Sequence, residues 1–431
     1  MSIKVLMFGW EFPPNISGGL GTACYGLTKG LSSFDDVDVT FVVPKVFGDE
    51  DNGNIELLGA GDVSVTNRKL SLKEFSKSIN YFEVSSKLVP YVDPEDYLRQ
   101  TAFSVEGTNG MIETDIEGKV KFTGKYGHDL FSEIARYALV ANVIAQDHQF
   151  DVIHAHDWLT YPAGIAAKQA SGKPLVIHVH ATDFDRSGGT VNPNVYAIEK
   201  QGMDVADKII TVSNLTRKIV IEKYGINPEK VITVYNAVEP YRHEQKLPFV
   251  KELHEKIVTF LGRITMQKGP EYFVEAANRV LQKMDNVRFV MAGSGDMMNK
   301  MIRRAAQLRI TNKFHFTGFL KGDDVFRMLQ MSDVYIMPSV SEPFGISPLE
   351  AMQAGVPVII SNQSGVAEIL SNVIKINFWD VEAMADAIHG ILCYPSMSKM
   401  LSRFGKKESC NLKWEDAAYQ VKQVYKLALC T

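Results

Sequence analysis

Short β-branched runs alternate with amphipathic stretches along most of the 431-residue chain. In the first half the apolar runs predict strands at Lys4–Phe8, Val39–Val43, Val152–His154, Leu175–His180, Lys208–Val212 and Val231–Tyr235, with a helix near Thr22–Leu31. The pattern restarts at Ile257–Leu261 and continues in a helix near Glu271–Met284. Further strands are expected at Val287–Ala292, Lys313–Thr317, Val334–Met337 and Val356–Ile360. Strand–helix alternation covers both faces of a parallel sheet with helices. Repeated in two halves, it predicts an α/β fold of two Rossmann-like, doubly wound domains. Such sheets take ligands at the carboxyl ends of their strands.

The charged stretch Asn236–Leu253, with Pro240 and Pro248, reads as the linker. The expected domains are therefore residues 1–240 and 250–413. Residues 45–125 fit the alternation least, being polar and holding Gly53, Gly59, Gly61, Gly107 and Gly110, and are expected to form an insertion. No repeat of solenoid period is visible.

Composition narrows the class. Hydrophobic content of 45% and charged content of 22% describe a globular chain, and a net charge of −4 gives no reason to expect nucleic acid as partner. Cys24, Cys393, Cys410 and Cys430 make no C-x-x-C pair and no zinc spacing, which points to a reducing compartment. The apolar run at the N-terminus meets Glu11 and two prolines too early for a signal peptide, and no run of about 18 apolar residues suggests a membrane span. A cytoplasmic location is expected. Lys300, Arg303, Arg304, Arg309 and Lys313 fall on one predicted helix; a solvated basic face is the favoured reading, and peripheral membrane contact stays open.

Three segments carry chemistry. Ser17-Gly18-Gly19-Leu20-Gly21 follows the first strand and opens a helix, where glycines admit a ligand to the backbone and free N–H groups meet an anion. A tight strand–helix turn is the alternative. A dinucleotide fingerprint would need glycine where Cys24 stands, and an acid after the second strand, where the chain reads Val42-Val43-Pro44. Next, Gly262-Arg263 through Lys268-Gly269-Pro270 places two cations at a strand's carboxyl end, suited to a diphosphate leaving group. The competing reading pairs both with Glu271 or Glu275. Last, Glu342-Pro343-Phe344-Gly345-Ile346-Ser347-Pro348-Leu349-Glu350 runs from a loop into a helix expected to start near Pro348. Glu342 can accept from sugar hydroxyls and Glu350 from a ribose diol. Ser347-x-x-Glu350 also spells a capping box with Ser347 as N-cap, which requires no ligand.

Gly18-Gly19-Leu20-Gly21, His154-Ala155-His156-Asp157-Trp158, Val179-His180, Gly262-Arg263…Lys268-Gly269 and Glu342-x7-Glu350 occur in that order. Together they resemble the retaining GT-B glycosyltransferases of family 4, and more distantly the glycogen and starch synthases. The resemblance spans nearly the whole chain. It implies a GT-B fold with an inter-domain cleft, acceptor on the first domain and nucleotide sugar mainly on the second. It further implies a hexosyl, glucosyl-type transfer with retention, by a front-face mechanism without bound metal or other cofactor, to a sugar, glucan or other glycan. By analogy Arg263 and Lys268 hold the diphosphate, Glu350 the ribose and Glu342 the transferred sugar. Phe344, Gly345 and Ile346 line the donor, Gly18 and Gly19 close on the phosphates, and His180 faces the sugar near the reacting centre. Asp157 and Asp183 belong to the acceptor side. A C-terminal helix at 414–431 would pack back on the first domain. Ile16-Ser17 and Glu350 depart from glycogen synthases, which carry Lys-Thr and tend to Tyr there; Glu11-Phe12-Pro13 and His156-Asp157-Trp158 look synthase-like. ADP-, UDP- or GDP-linked donor and oligomeric state stay undecided.

Two features compete. Asp183-Phe184-Asp185 has the D-x-D form that other glycosyltransferases use for a metal, though on a single-domain fold. His154, His156, His178 and His180 could hold a metal, but no Cys or Glu joins them at ligand spacing in the sequence. A chain that binds sugar nucleotides without catalysis is the alternative function; it would lack an Arg, Lys or Glu of the set, and none is missing. A phosphorylase or epimerase on the same architecture fits less well.

Overall fold

A computed structural model describes residues 2–15, 18–50, 55–65, 117–127, 129–240 and 254–430. The expected insertion at 45–125 therefore lies largely outside the described residues. The chain divides into two compact units. The first comprises Met1–Asp183, Thr190–Asn236 and Trp414–Thr431; the second comprises Phe184–Gly189 and Ala237–Lys413.

In the first unit the chain runs β1 (Ile3–Phe8), α1 (Gly19–Leu31), β2 (Val37–Val43), β3 (Glu56–Gly59), α2 (Leu130–Asp147), β4 (Val152–His156), α3 (Tyr161–Ser171) and β5 (Leu175–Val179). The short helix α4 (Asp183–Ser187) spans the junction between the units, and α5 (Pro193–Val205), β6 (Lys208–Thr211), α6 (Asn214–Tyr224) and β7 (Val231–Thr233) complete the series. Among the described residues the strands lie in the order β3-β2-β1-β4-β5-β6-β7, and every pairing is parallel. Strands β4 and β5 are buried from end to end, as expected of a sheet covered on both faces.

The second unit runs β8 (Lys256–Leu261), α7 (Pro270–Leu281), β9 (Val287–Ala292), α8 (Met298–Gln307), β10 (Phe314–Gly318), α9 (Asp323–Met331), β11 (Val334–Met337), α10 (Ser347–Gln353), β12 (Val358–Ser361), β13 (Ile374–Ile376), α11 (Val381–Cys393) and α12 (Pro395–Ser409). Its parallel order is β10-β9-β8-β11-β12-β13. Phe273, Phe289 and Phe314 meet in its core, where α7 covers the sheet.

The last helix, α13 (Trp414–Leu429), packs on α1 and on β4, β5 and β6. Close approach needs small residues on α1. A Cβ on Gly26 would fall 2.1 Å from the Trp414 ring, and one on Gly30 would fall 2.5 Å from the Trp414 carbonyl oxygen. Val421, Val424 and Tyr425 are buried along its inner face, whereas Leu429, which the spacing groups with them, is exposed.

Several expected boundaries shift, and three shifts matter for chemistry. Helix α1 starts at Gly19, before the expected Thr22, so the paired glycines sit at its mouth. Strand β4 extends past His154 to His156, and β5 stops at Val179, which leaves His180 in the following loop. The predicted basic helix face is also broken. Lys300, Arg303 and Arg304 lie on α8, but Arg309 follows it with φ +58° and Lys313 belongs to a separate turn. Lys300, Arg304 and Lys313 pair with Glu271, Glu275 and Glu255, respectively, so much of that charge is neutralised locally. No helix among the described residues is long and apolar enough to cross a membrane.

Candidate active site

In each sheet the strand order reverses once, between β1 and β4 in the first unit and between β8 and β11 in the second. At such a break the two flanking loops diverge from adjacent strands and leave a crevice at their carboxyl ends. The segments singled out by the sequence leave the sheets at or beside these breaks.

In the second unit, β8 ends at Leu261 and Gly262-Arg263 follow at once. Arg263 Nη2 donates to Gln267 Oε1 at 3.2 Å. The turn Met266–Lys268 closes on Gly269, whose φ of +65° suits glycine and whose added Cβ would lie 2.1 Å from the Pro338 carbonyl oxygen. That approach carries Lys268 to the loop after β11, where its Nζ pairs with Glu342 Oε2. Ser339 Oγ donates to the same carboxylate oxygen at 3.1 Å, and Glu342 is 6% exposed. The backbone of Glu342 is held on both sides: its N–H donates to the Gln363 carbonyl at 2.9 Å, and its carbonyl accepts from Gly365 N–H at 2.8 Å. The alternative pairing of the two cations with Glu271 or Glu275 is not what is seen; those acids take Lys300 and Arg304 from α8.

The capping box is not formed. Helix α10 begins at Ser347 itself, Ile346 is the N-cap, and no side chain caps it. Ser347 Oγ instead shares a 2.8 Å hydrogen bond with the Tyr335 hydroxyl. A partner on the neighbouring strand has outcompeted the local one. Glu350 is left with no hydrogen-bond or ion-pair partner for its side chain among the described residues, and burial raises its carboxyl above the ordinary range. Phe344 is buried beside it in sequence, Gly345 has φ +103°, and Ile346 is half-buried.

In the first unit, Gly18 and Gly19 behave differently from Gly269. Gly18 is extended, a conformation open to any residue, and a Cβ on either glycine would meet nothing within 4 Å among the described residues. The tight-turn alternative thus has no conformational or packing demand behind it here. What the missing side chains leave is open space at the helix N-terminus.

Asp157 has φ +63°, and its Oδ1 accepts from the backbone N–H groups of His180 at 3.1 Å and Ala181 at 3.2 Å. It therefore fixes the loop that carries His180. Asp183 is also occupied, accepting from Asn192 N–H at 2.6 Å, and Asp185 accepts from Ser341 Oγ at 2.5 Å. The D-x-D carboxylates are thus engaged by protein donors.

Parallel pairing sets His156 opposite His178 on neighbouring strands, and His154 and His180 extend the group on the same face. His154 Nδ1 lies 2.7 Å from the Tyr425 hydroxyl of α13, and His156 Nδ1 lies 2.9 Å from His180 Nε2. Burial, then the neighbouring histidines, hold His154, His156 and His178 well below the usual imidazole range, so they stand neutral. Cys24 of α1 joins this group, a residue the sequence separates from the histidines by more than a hundred positions. Burial, then the charges of Glu11 and Asp157, push its thiol up. Glu11 in turn accepts from Gly21 N–H at 3.2 Å and from the Tyr126 hydroxyl at 3.3 Å. Cys24 and Tyr425 were invisible as site residues from spacing alone; the neighbourhood of Glu11 was signalled only by the synthase-like Glu11-Phe12-Pro13.

Comparison with known proteins bears on the fold and the family. Residues 242–408 match the family model for glycosyl transferases group 1, and residues 113–242 match that for glycosyltransferase family 4. An uncharacterised glycosyltransferase of Methanocaldococcus jannaschii is 29% identical over 452 residues, covering 99% of each chain. A glycogen synthase of Mycobacterium tuberculosis is 24% identical over 437 residues, covering 98% of this chain and 94% of the relative. Among solved structures, sucrose-phosphate synthase from Thermosynechococcus elongatus superposes with TM-score 0.70 at 16% identity, covering 99% of each chain. Anabaena HepE in complex with UDP and glucose does so with TM-score 0.68 at 15% identity, covering 98% of this chain and 99% of the other. Two parallel sheets clothed by helices, with these matches, define a glycosyltransferase of the GT-B fold. Within that class the chain is family 4-like over residues 113–408.

Proposed function

We propose that the chain transfers a hexosyl unit, glucosyl in the first instance, from a nucleoside-diphosphate sugar to a sugar, glucan or other glycan, with retention at the anomeric carbon. The observation that carries this reading is the convergence of Arg263, Lys268 and Glu342 at the β8/β11 break of the second unit. Breaking the bond from sugar to diphosphate develops negative charge on the leaving group. Arg263 and Lys268 are assigned to that charge, one as a planar fork and one as a point charge. Glu342, held at its backbone and on Ser339, is assigned to the sugar hydroxyls, and Glu350 to the ribose. Phe344, Gly345 and Ile346 are assigned to the donor beside them. In the first unit Gly18 and Gly19 are assigned to phosphate and His180 to the sugar, with Asp157 and Asp183 shaping the acceptor side through the backbone they hold.

With two cations at the leaving group, the transfer needs no metal, and the new bond forms on the face the diphosphate leaves. The three exposed free cysteines fit a reducing, cytoplasmic compartment. Thermal shift with ADP-, UDP- and GDP-sugars tests donor binding, since a ligand bound only by the native state raises apparent stability. UDP-glucose is the first to try, given the contents of the HepE complex. Product formation with the donor so found, and inversion or retention in that product, then decide the reaction. No shift with any nucleotide sugar, or transfer abolished by dialysis against a chelator, overturns the corresponding part.

A further inference from the structure

Two sets of potential metal ligands occur in the first unit, His154–His156–His178 and Cys24–His156–His180; within each, one ligand atom per residue lies within 4.8 Å of the others. Ring geometry separates the two sets. A metal lies in the plane of each imidazole it binds, along the nitrogen lone pair. In the first set His178 stacks on His154 at 10° and on His156 at 27°, with centroids 5.4 and 5.3 Å apart. Stacked rings aim their lone pairs in near-parallel planes, so they can share an ion only by turning over inside a packed core.

In the second set the His156 and His180 rings are inclined by 31°, little more than His156 on His178, but here two ring nitrogens meet. His156 Nδ1 and His180 Nε2 are 2.9 Å apart with ring centroids at 5.2 Å, so the two nitrogens point at one another across a shared proton. An ion with metal–nitrogen bonds of about 2.0–2.1 Å at a tetrahedral angle needs those nitrogens about 3.3–3.4 Å apart. The rings need to part by a few tenths of an ångström and each to tilt by about 35°, a smaller change than turning a ring over. Cys24 brings sulfur to the same point from α1, and Glu11 and Asp157 lie near enough for their charges to act on it. That negative field resists a bare thiolate but draws a dication. A thiolate with two imidazoles suits a borderline-soft ion and not magnesium or calcium.

We propose that Cys24, His156 and His180 form a binding site for a soft divalent cation of the Zn²⁺ class. The protons balance as follows: Cys24 gives up its thiol proton to solvent, and the proton between the rings moves to the outer nitrogen of the ring that held it. The thiolate and both imidazoles then bind the ion, and the pocket gains one net positive charge. Half-buried His180 is the point of entry. The ion takes the His180 Nε2 lone pair, so its site lies against the sugar-facing group proposed above without depending on that role.

Cobalt substitution tests this independently of any transfer activity. The full chain is first given Ser at Cys393, Cys410 and Cys430, because those exposed thiols bind metal on their own account. The metal-stripped protein should take up one equivalent of Co²⁺ with a thiolate-to-cobalt charge-transfer band, and Zn²⁺ should displace it. Cys24→Ser should remove the band, and His180→Asn should weaken binding at least tenfold. His180→Asn carries the test if Cys24→Ser fails to fold. Absence of the band in the parent, its survival in Cys24→Ser, or an unchanged Co²⁺ affinity in His180→Asn overturns the site.

Discussion

The carboxyl ends of the two sheets are built on the same topological break and furnished in opposite ways. The second unit presents charge: Lys268 against Glu342, with Arg263 beside them on Gln267. The first presents neutral imidazoles, a glycine-edged helix start and a buried thiol. The difference follows from burial and partners. A charge can sit low in a loop when a counter-charge and a hydroxyl meet it, as Glu342 is met by Lys268 and Ser339. His154 meets the Tyr425 hydroxyl and His156 meets another ring, but neither is paired with a counter-charge among the described residues, and in their closed core each keeps its neutral form. One end is suited to take up charge that appears during a reaction; the other hydrogen-bonds without adding charge.

The comparison breaks most visibly if the charged end is dispensable. Arg263→Ala is expected to lower turnover by about 10²–10³, or about 2.7–4 kcal/mol of barrier, the scale for one lost charge-stabilising donor. Steady-state kinetics with the identified donor checks it; unchanged turnover removes Arg263 from the leaving group.

The neutral end should show itself in the pH dependence of stability. The folded-state pKa values of His154, His156 and His178 are lowered, so the unfolded chain takes up protons first. Their contribution is complete above the unfolded histidine value of about 6.5 and is lost as pH falls below it toward the folded values. Each adds a slope of about 1.4 kcal/mol per pH unit in that window. Chemical denaturation between neutral and mildly acid pH measures the slope, and a flat profile means the imidazoles are charged when folded.

Tyr425→Phe deletes the hydroxyl on His154 Nδ1 and leaves that nitrogen buried alone, for about 1–3 kcal/mol of stability. Equal stability in the denaturation midpoint would show that α13 is not tied to the histidine group through this bond.

The smallest effects sharpen the comparison most. Glu350→Gln should raise the melting temperature of the ligand-free protein by about 1–3 °C, because it relieves a carboxylate that burial disfavours, while weakening nucleotide-sugar binding. A formed capping box, which Gln serves as Glu does, would predict little change in the free protein. Gly19→Ala should leave the free protein's melting temperature unchanged, since its Cβ meets nothing within 4 Å among the described residues, yet reduce donor affinity.

Much of this layout was legible in the order of residues. Alternating apolar runs and helical stretches placed most strands to within a few positions, because period and burial are local properties of a parallel sheet, but missed the short edge strands β3 and β13. Gly262-Arg263, Lys268 and Glu342 were readable as a group because all lie in the loops that follow β8 and β11. The capping-box reading of Ser347-x-x-Glu350 does not hold for an equally physical reason: the motif describes a bond available locally, and the Tyr335 hydroxyl of β11 takes Ser347 instead.

The sequence by itself determined the two-fold α/β alternation, the placing of cations and carboxylates at strand ends, and the family resemblance, since all of these depend on residue type and spacing along the chain. Only the tertiary structure decided which strands are neighbours, and therefore where the strand order reverses. It also decided that Lys268 meets Glu342, that Cys24 and Tyr425 reach the histidines, and that a Cβ on Gly18 or Gly19 would meet nothing within 4 Å among the described residues. Those facts join residues dozens to hundreds of positions apart. Their pairing is set by which faces the packed core leaves for one another, and that geometry exists only once the chain has closed on itself.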